Sequence, residues 1–248
     1  MLKLLHSPRY PKILLVVFAL YWLAWAYKPW FFQDWLLENV LTVVFMTVLV
    51  TTRRRFPLSN ISYTLIFVHL CLHTIGSHYT YEKVPYDEWF KGVFGVTLNS
   101  LFGFERNHYD RMLHFLFGLL LAYPIREVFV RIVNVKGFWS YYLPWDVTIS
   151  FSVIFEFFEW GAATVFGGDL GVAYLGTQGD VWDAHKDMLL ATIGGLITMC
   201  VVAFINWKFN RRFADEIAES LSVKQKTPLG EHRIRNWFRR KKKDSAPL

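Results

Sequence analysis

About six stretches of this chain are apolar for close to the roughly 20 residues that a helix needs to cross the hydrocarbon of a bilayer. They cover residues 13–27, 35–52, 60–76, 109–131, 142–166 and about 183–207. What lies between them is short, which leaves no room for a separate soluble domain of ordinary size. Inside a bilayer the backbone must satisfy its own hydrogen bonds, so runs of this length fold as helices. The hydrophobic share of 54% and the aromatic share of 19% lie above soluble usage. The expected fold is all-α: a polytopic membrane protein of about six transmembrane helices.

The net charge of +7 belongs to one end. From residue 208 onward, twelve Lys or Arg face five Asp or Glu, and the rest of the chain is balanced. The chain therefore divides into a transmembrane domain, residues 1–207, and a basic tail, residues 208–248, expected to be disordered or amphipathic. Arg239, Arg240, Lys241, Lys242 and Lys243 follow Trp237 and Phe238. That composition suits anionic lipid headgroups at the cytoplasmic surface; with no nucleic-acid-binding fold beside it, no nucleic acid is expected as a partner. The other basic segments alternate along the chain: the N-terminus, Arg53 to Arg55, and Arg126 to Lys136. The positive-inside rule then puts both termini in the cytoplasm. Bulky Trp25 and Tyr27 crowd the small-residue site at Ala24 and Ala26, so the first run reads as an uncleaved helix. Cys71 and Cys200 both lie within apolar runs and form no disulfide framework.

Residues 176–187, G-T-Q-G-D-V-W-D-A-H-K-D, crowd three acids into the entrance of the last run. Asp180, Asp183 and Asp187 share one helical face at that spacing, where like charges repel. A solvated helix entrance, its acids favoured by the dipole, is the plain alternative; the sharper reading puts a cation opposite them. With the topology above, other ionisable groups reach the same outer-leaflet region. They are His69, His73 and His78 late in the third span, Asp110 and His114 at the mouth of the fourth, and Asp34 and Glu38 at the entrance of the second. Glu156 falls roughly 20 Å along a core about 30 Å thick, with Glu159 one turn further on. An intramembrane carboxylate costs roughly 2.5 to 3.5 kcal/mol on insertion scales and marks a functional site by default. Pairing with Arg106, Arg111 or Lys186, a simple His–carboxylate bond for Asp110 and His114, and a core role for His69 are the structural alternatives.

Carboxylates with imidazole suit a hard or borderline divalent ion, one able to polarise a phosphoryl or carbonyl oxygen or to activate water. The expected ligands are Asp110, His114, Glu156, Glu159, Asp180 and Asp183. Asp187 or His73 would act as general acid or base, and Arg106, Arg111 or Lys186 would neutralise a substrate phosphate.

Long strings of the chain resemble the YjdF-like family of bacterial inner-membrane proteins. They are D-W-L-L-E-N from Asp34, H-x4-H-Y-T-Y from His73, V-P-Y from Val84, F-G-F-x-R-N-H-Y-D-R-x-x-H-F from Phe102, E-x-x-E-W from Glu156 and L-G-T-Q-G-D-x-W-D-A-H-K-D-M from Leu175. The likeness covers residues 30 to 200 and leaves out the basic tail. More distantly, Asp110-Arg111-x-x-His114-Phe115 is similar to the D-K-x-x-H-F pattern of VanZ-like membrane proteins, whose closing D-x3-N-x2-G is only partly echoed here. The resemblance implies a multi-pass protein of the bacterial inner membrane and the placement of its site; it implies no reaction. The leading functional expectation is a metal-assisted hydrolase or transferase on a lipid or lipid-linked envelope compound. Proton- or cation-coupled transport, with Glu127 as the acid at the inner end, and a non-catalytic envelope-organising role are the rival readings.

Overall fold

The computed structural model describes residues 9–224 and 230–244, and every regular element among them is helical. Six long helices form the body: α1 (Tyr10–Trp25), α2 (Phe32–Thr52), α3 (Asn60–His78), then, after a short hairpin of α4 (Tyr86–Phe94) and α5 (Leu98–Phe102), α6 (Tyr109–Val128), α7 (Trp139–Phe166) and α9 (Asp183–Phe209). The short α8 (Gly168–Leu175) folds back on α7, while α10 (Phe213–Leu221) and α11 (Glu231–Asp244) lie in the tail. Three helices, Phe32–Thr52, Trp139–Phe166 and Asp183–Phe209, are long and apolar enough to cross a membrane, and Tyr10–Trp25 is apolar but shorter. α3 and α6 have 19 and 20 residues, and the polar groups along them lower their apolarity.

α2 and α7 are polar inside and apolar outside, while α1 and α3 meet over an apolar cluster of Phe18, Ile66 and Leu70. α2 buries Asp34, Glu38, Asn39 and Thr42 and exposes Leu36, Val40, Val43, Val44 and Val48. α7 buries Ser140, Pro144, Thr148, Ser152, Glu156 and Glu159, nearly one residue per turn along its whole length. Its other faces show Phe151, Ile154, Phe157, Phe158 and Trp160. Water would reverse that arrangement; lipid accepts it, because apolar side chains facing acyl chains lose nothing and the polar ones find partners inside.

α6 and α9 run parallel and touch through small residues. A Cβ on Gly194 would lie 2.1 Å from the Phe115 carbonyl, and Ala122 and Ala191 are fully buried. Thr198 Oγ1 donates across the contact to the Leu119 carbonyl at 2.5 Å. α7 returns antiparallel, and Trp145 Nε1 donates to the Thr192 carbonyl at 3.0 Å.

The two ends of this bundle differ. At one end, Glu127 holds the start of α3, accepting from the Ser59 N–H at 2.8 Å and the Ser62 hydroxyl at 2.5 Å, with Arg131 beside it. Glu127 is thus committed to a helix junction. Asn206 meets the Tyr141 hydroxyl at this end too, and Ser220 of α10 binds the Phe138 N–H, docking the tail against α7. The opposite end gathers the start of α2, the end of α3, the starts of α6 and α9 and the later turns of α7. A hydrogen bond from the Trp30 N–H to the His78 carbonyl, 2.8 Å, ties two of them together. Pro124 sits inside α6 without ending it; the helix runs on to Val128 and widens into a π turn (Phe129–Val133) that Asn134 closes at φ +57°.

Candidate functional site

The close contact between α6 and α9 sets the site. Gly118 and Ala191 meet at one level, and counting eight residues back along each parallel helix reaches Asp110 and Asp183. The two helix entrances therefore lie side by side. Arg106, just before α6, grips Asp183 with both nitrogens, at 2.8 and 3.1 Å, and also bonds the Thr177 carbonyl at 2.9 Å. Arg111 adds bonds of 2.6 and 3.2 Å to the same carboxylate. Asp183 is only 3% exposed, so its charge is matched inside the protein by two guanidiniums. Asp180 accepts from Arg111 and Lys186, each at 2.5 Å, and from the Trp182 N–H at 3.0 Å. Lys186 foremost holds the Asp180 carboxyl below the usual carboxylate range.

This grouping differs from the one expected of the sequence. Asp180 and Asp183 were expected as metal ligands, and Arg106, Arg111 and Lys186 as substrate contacts; the structure pairs the two sets with each other. The physical reason is reach: the guanidiniums leave the α6 side just where the α9 entrance passes, and bidentate Arg–carboxylate pairing saturates the oxygens.

Deeper in, Asp110, His114 and Asp187 each offer one ligand-type atom, all within 4.8 Å of one another. His114 Nε2 lies 3.7 Å from Asp110 Oδ1 and 3.7 Å from Glu156 Oε1. Asp187 Oδ1 and Glu156 Oε1 are buried without a hydrogen-bond partner. Asp187, expected as a general acid or base, thus joins Asp110 and His114 as a possible ligand, one turn beyond Asp183. Glu159, one turn past Glu156, is within hydrogen-bonding reach of it and feels the charges of Asp110, Glu38 and Asp187. The nitrogen-and-oxygen donor set fits a divalent ion of the hard to borderline kind.

Behind this group lies a second layer: His73, expected as a general acid or base, with Asp34 and Glu38, all three placed at this end from the sequence, and with Tyr81 and Tyr174, which were not. Tyr81, in the loop after α3, turns inward. Its hydroxyl donates to Glu38 Oε2 at 3.2 Å and shares a 2.6 Å hydrogen bond with His73 Nδ1. Burial, then the Glu38 charge, push its phenol well above the ordinary value, so it stays a proton donor. Gly76 makes the room, since a Cβ there would lie 2.5 Å from the Tyr81 ring. Asp34, 1% exposed, has both carboxylate oxygens unpartnered, and Tyr174 feels the charges of Glu38, Glu159 and Asp34. Among the described ion pairs, none joins a Lys or Arg to Asp34, Glu38, Asp110, Glu156, Glu159 or Asp187. For Asp34 and Glu38, placed at this end from the sequence, the four-residue spacing on one face of α2 is a further signal. Tyr81 carried none, because a loop sequence does not say which ring turns inward.

His69 is half-buried and sits edge-on against Phe117, as a core histidine would. His78 bonds the Trp25 carbonyl at 2.7 Å, and His185 packs on Trp182.

The family model described as "Predicted membrane protein (DUF2238)" matches residues 10–208. Inner membrane protein YjdF of Escherichia coli (strain K12) is 37% identical over 179 residues, which is 72% of this chain and 81% of that one. No solved structure matches. The matched region includes every helix of the pocket and ends before α10 and α11. A polar-cored bundle with an apolar exterior, matched over most of its length in these two ways, is an integral protein of the bacterial inner membrane, and the chain belongs to the DUF2238 family of membrane proteins.

Proposed function

We propose that this chain is a six-span protein with both termini in the cytoplasm. Its acid and imidazole pocket faces the outer leaflet and holds a divalent ion for hydrolysis or group transfer on a lipid or lipid-linked envelope compound. The observation that carries this reading is the meeting of Asp110, His114 and Asp187 within 4.8 Å, where Asp187 Oδ1 and the neighbouring Glu156 Oε1 are buried without a hydrogen-bond partner. A divalent ion at that point would offset part of the uncompensated acid charge and supply Lewis acidity and an activated water. Asp110, His114 and Asp187 would hold it. Glu156, 3.7 Å from His114, is placed to take or return a proton. His73, through Tyr81, joins Glu38 to the same polar network. The polar-inside, apolar-outside packing of α2, α7 and α9 supports the spans, and the basic residues at the Glu127 end support the orientation. The tail's α11 sets Ile234, Trp237 and Phe238 among arginines, which suits anionic headgroups on that side.

Metal analysis of the purified protein, before and after chelation, tests the ion; lipid profiles of cells lacking or overproducing the chain test the substrate. The expected result is about one ion per chain, lost in Asp187→Asn, and a lipid or lipid-carrier species that moves in opposite directions in the two strains. No stoichiometric metal, together with unchanged profiles, would sink the proposal. Transport loses its main inner-end candidate, because Glu127 is bonded to Ser59, Ser62 and Arg131.

A further inference from the structure

Asp180 collects more positive charge than one carboxylate needs. Arg111 Nη2 and Lys186 Nζ lie 2.5 Å from its Oδ2, Arg106 Nη1 lies 3.7 Å away, and the Trp182 N–H donates to Oδ1. Without that carboxylate, two guanidiniums, one ammonium and one backbone N–H would converge on the same spot, with Asp183 the acid still bonded to the guanidiniums and Asp110 and Asp187 acting on them from further off. Three cations with one anion bonded to them leave unused donors at the exposed side that a phosphate monoester, close to a dianion at neutral pH, would fill. Charge-assisted bonds from Arg and Lys are the usual means of holding such a group.

The position of Asp180 suits an occupant that can leave. Its side chain is 19% exposed and that of Lys186 is 47% exposed, whereas Asp183 stays buried. The loop is pinned at Gln178, whose amide exchanges two 3.0 Å hydrogen bonds with the Asn107 backbone. Beyond it, Gly179 takes φ +85°, and Val181 and Trp182 project into the surroundings. A rotation about Gly179 would withdraw Asp180 while Arg106 keeps its bidentate hold on Asp183. The cradle also adjoins the deeper pocket: Arg106 bonds the Gly176 carbonyl, and a Cβ on Gly176 would stand 3.9 Å from Asp110.

We infer that Arg106, Arg111, Lys186 and the Trp182 N–H form a binding site for a terminal phosphate, filled by the Asp180 carboxylate until substrate displaces it. The inference rests on the reading of a lipid or lipid-linked substrate, and it names the group that the site grips.

The test compares full-length wild type, Asp180→Asn and Asp180→Asn/Lys186→Gln. Inorganic phosphate is titrated against protein in detergent by calorimetry. Nanodiscs containing phosphatidic acid are compared with phosphatidylcholine nanodiscs by thermal shift. Asp180→Asn should bind phosphate about tenfold more tightly or better, and the added Lys186→Gln should return affinity toward wild type. A gain with both probes indicates a site open to free phosphate, and a gain with phosphatidic acid alone indicates a headgroup site; either supports the inference. A lower melting temperature in Asp180→Asn with no gain toward either probe overturns it, leaving Asp180 as a structural ion pair. Metal content is read in the same samples. Tightened phosphate binding in protein that holds no metal would count against the metal reading alone, and a metal-replete protein indifferent to phosphate would count against the cradle alone.

Discussion

Gly118 and Ala191 put two helix backbones in direct contact: a Cβ on Gly118 would lie 2.0 Å from the Ala191 carbonyl oxygen and 2.6 Å from the Gly195 nitrogen. Because α6 and α9 are parallel, this contact also fixes the distance between Asp110 and His114 on one wall of the pocket and Asp183 and Asp187 on the other. Gly118→Ala must push the helices apart, at about 1 to 3 kcal/mol for overpacking. Melting temperature should fall, and with it the metal content if the pocket holds an ion as proposed. Gly161→Ala is the control: no atom lies within 4 Å of its Cβ position, and it should change neither.

Asp183→Asn removes the buried carboxylate that both Arg106 and Arg111 hold and leaves them with the more exposed Asp180. Breaking a buried pair from one side costs about 3 to 5 kcal/mol. The variant should therefore melt well below wild type, and Arg106→Lys, which keeps charge but loses the fork, should fall between them. A melting temperature unchanged in Asp183→Asn would show that the pairing carries no stability.

If Asp110, His114 and Asp187 hold an ion, binding must compete with protons for the same atoms. Apparent affinity should weaken as pH falls. Isothermal titration with zinc, manganese and magnesium at several pH values checks this. His114→Ala should abolish the response, and a pH-independent affinity would argue for a site elsewhere.

Tyr81→Phe removes one donor from Glu38 and one partner from His73 without opening a cavity. A lost buried hydrogen bond of this kind costs about 1 to 3 kcal/mol. Gly76→Ala should destabilise the same region by a different route, forcing the Tyr81 ring off its position 2.5 Å from the new methyl. If the two act through one network, the double variant should cost less than the sum of the singles, as measured by thermal melts.

The Asp180 carboxyl is depressed by Lys186 and Arg111. A group whose folded value is lowered contributes stability above its unfolded value and loses that contribution as pH falls through the folded one. Wild type should thus melt progressively lower below about pH 4, with a shallower slope in Asp180→Asn. Equal slopes would mean that the pairing is absent in solution.

Several of these relationships were legible in the chain before any coordinates. The apolar runs mark the six long helices, within a few residues at each end, because a run of that length in lipid has little choice but to be helical. The acids at the start of the last run and the D-R-x-x-H of residues 110–114 announce a site by their cost in an apolar setting. The buried stripe of α7, from Ser140 through Thr148 and Ser152 to Glu159, was equally readable, since a polar residue nearly every turn along a span means an interior face.

What the sequence determined by itself is the helical class, the apolar segments and the identity of the groups that cannot face lipid. Which of those groups meet was decided only in three dimensions. Asp183 and Asp187 are one turn apart, yet one is paired with two arginines and the other is left with an unpartnered oxygen beside His114. That division follows from how closely Gly118 and Gly194 allow α6 and α9 to approach, and from the reach of Arg106 out of a loop. Side-chain reach and backbone separation arise between segments, and no spacing along one segment encodes them.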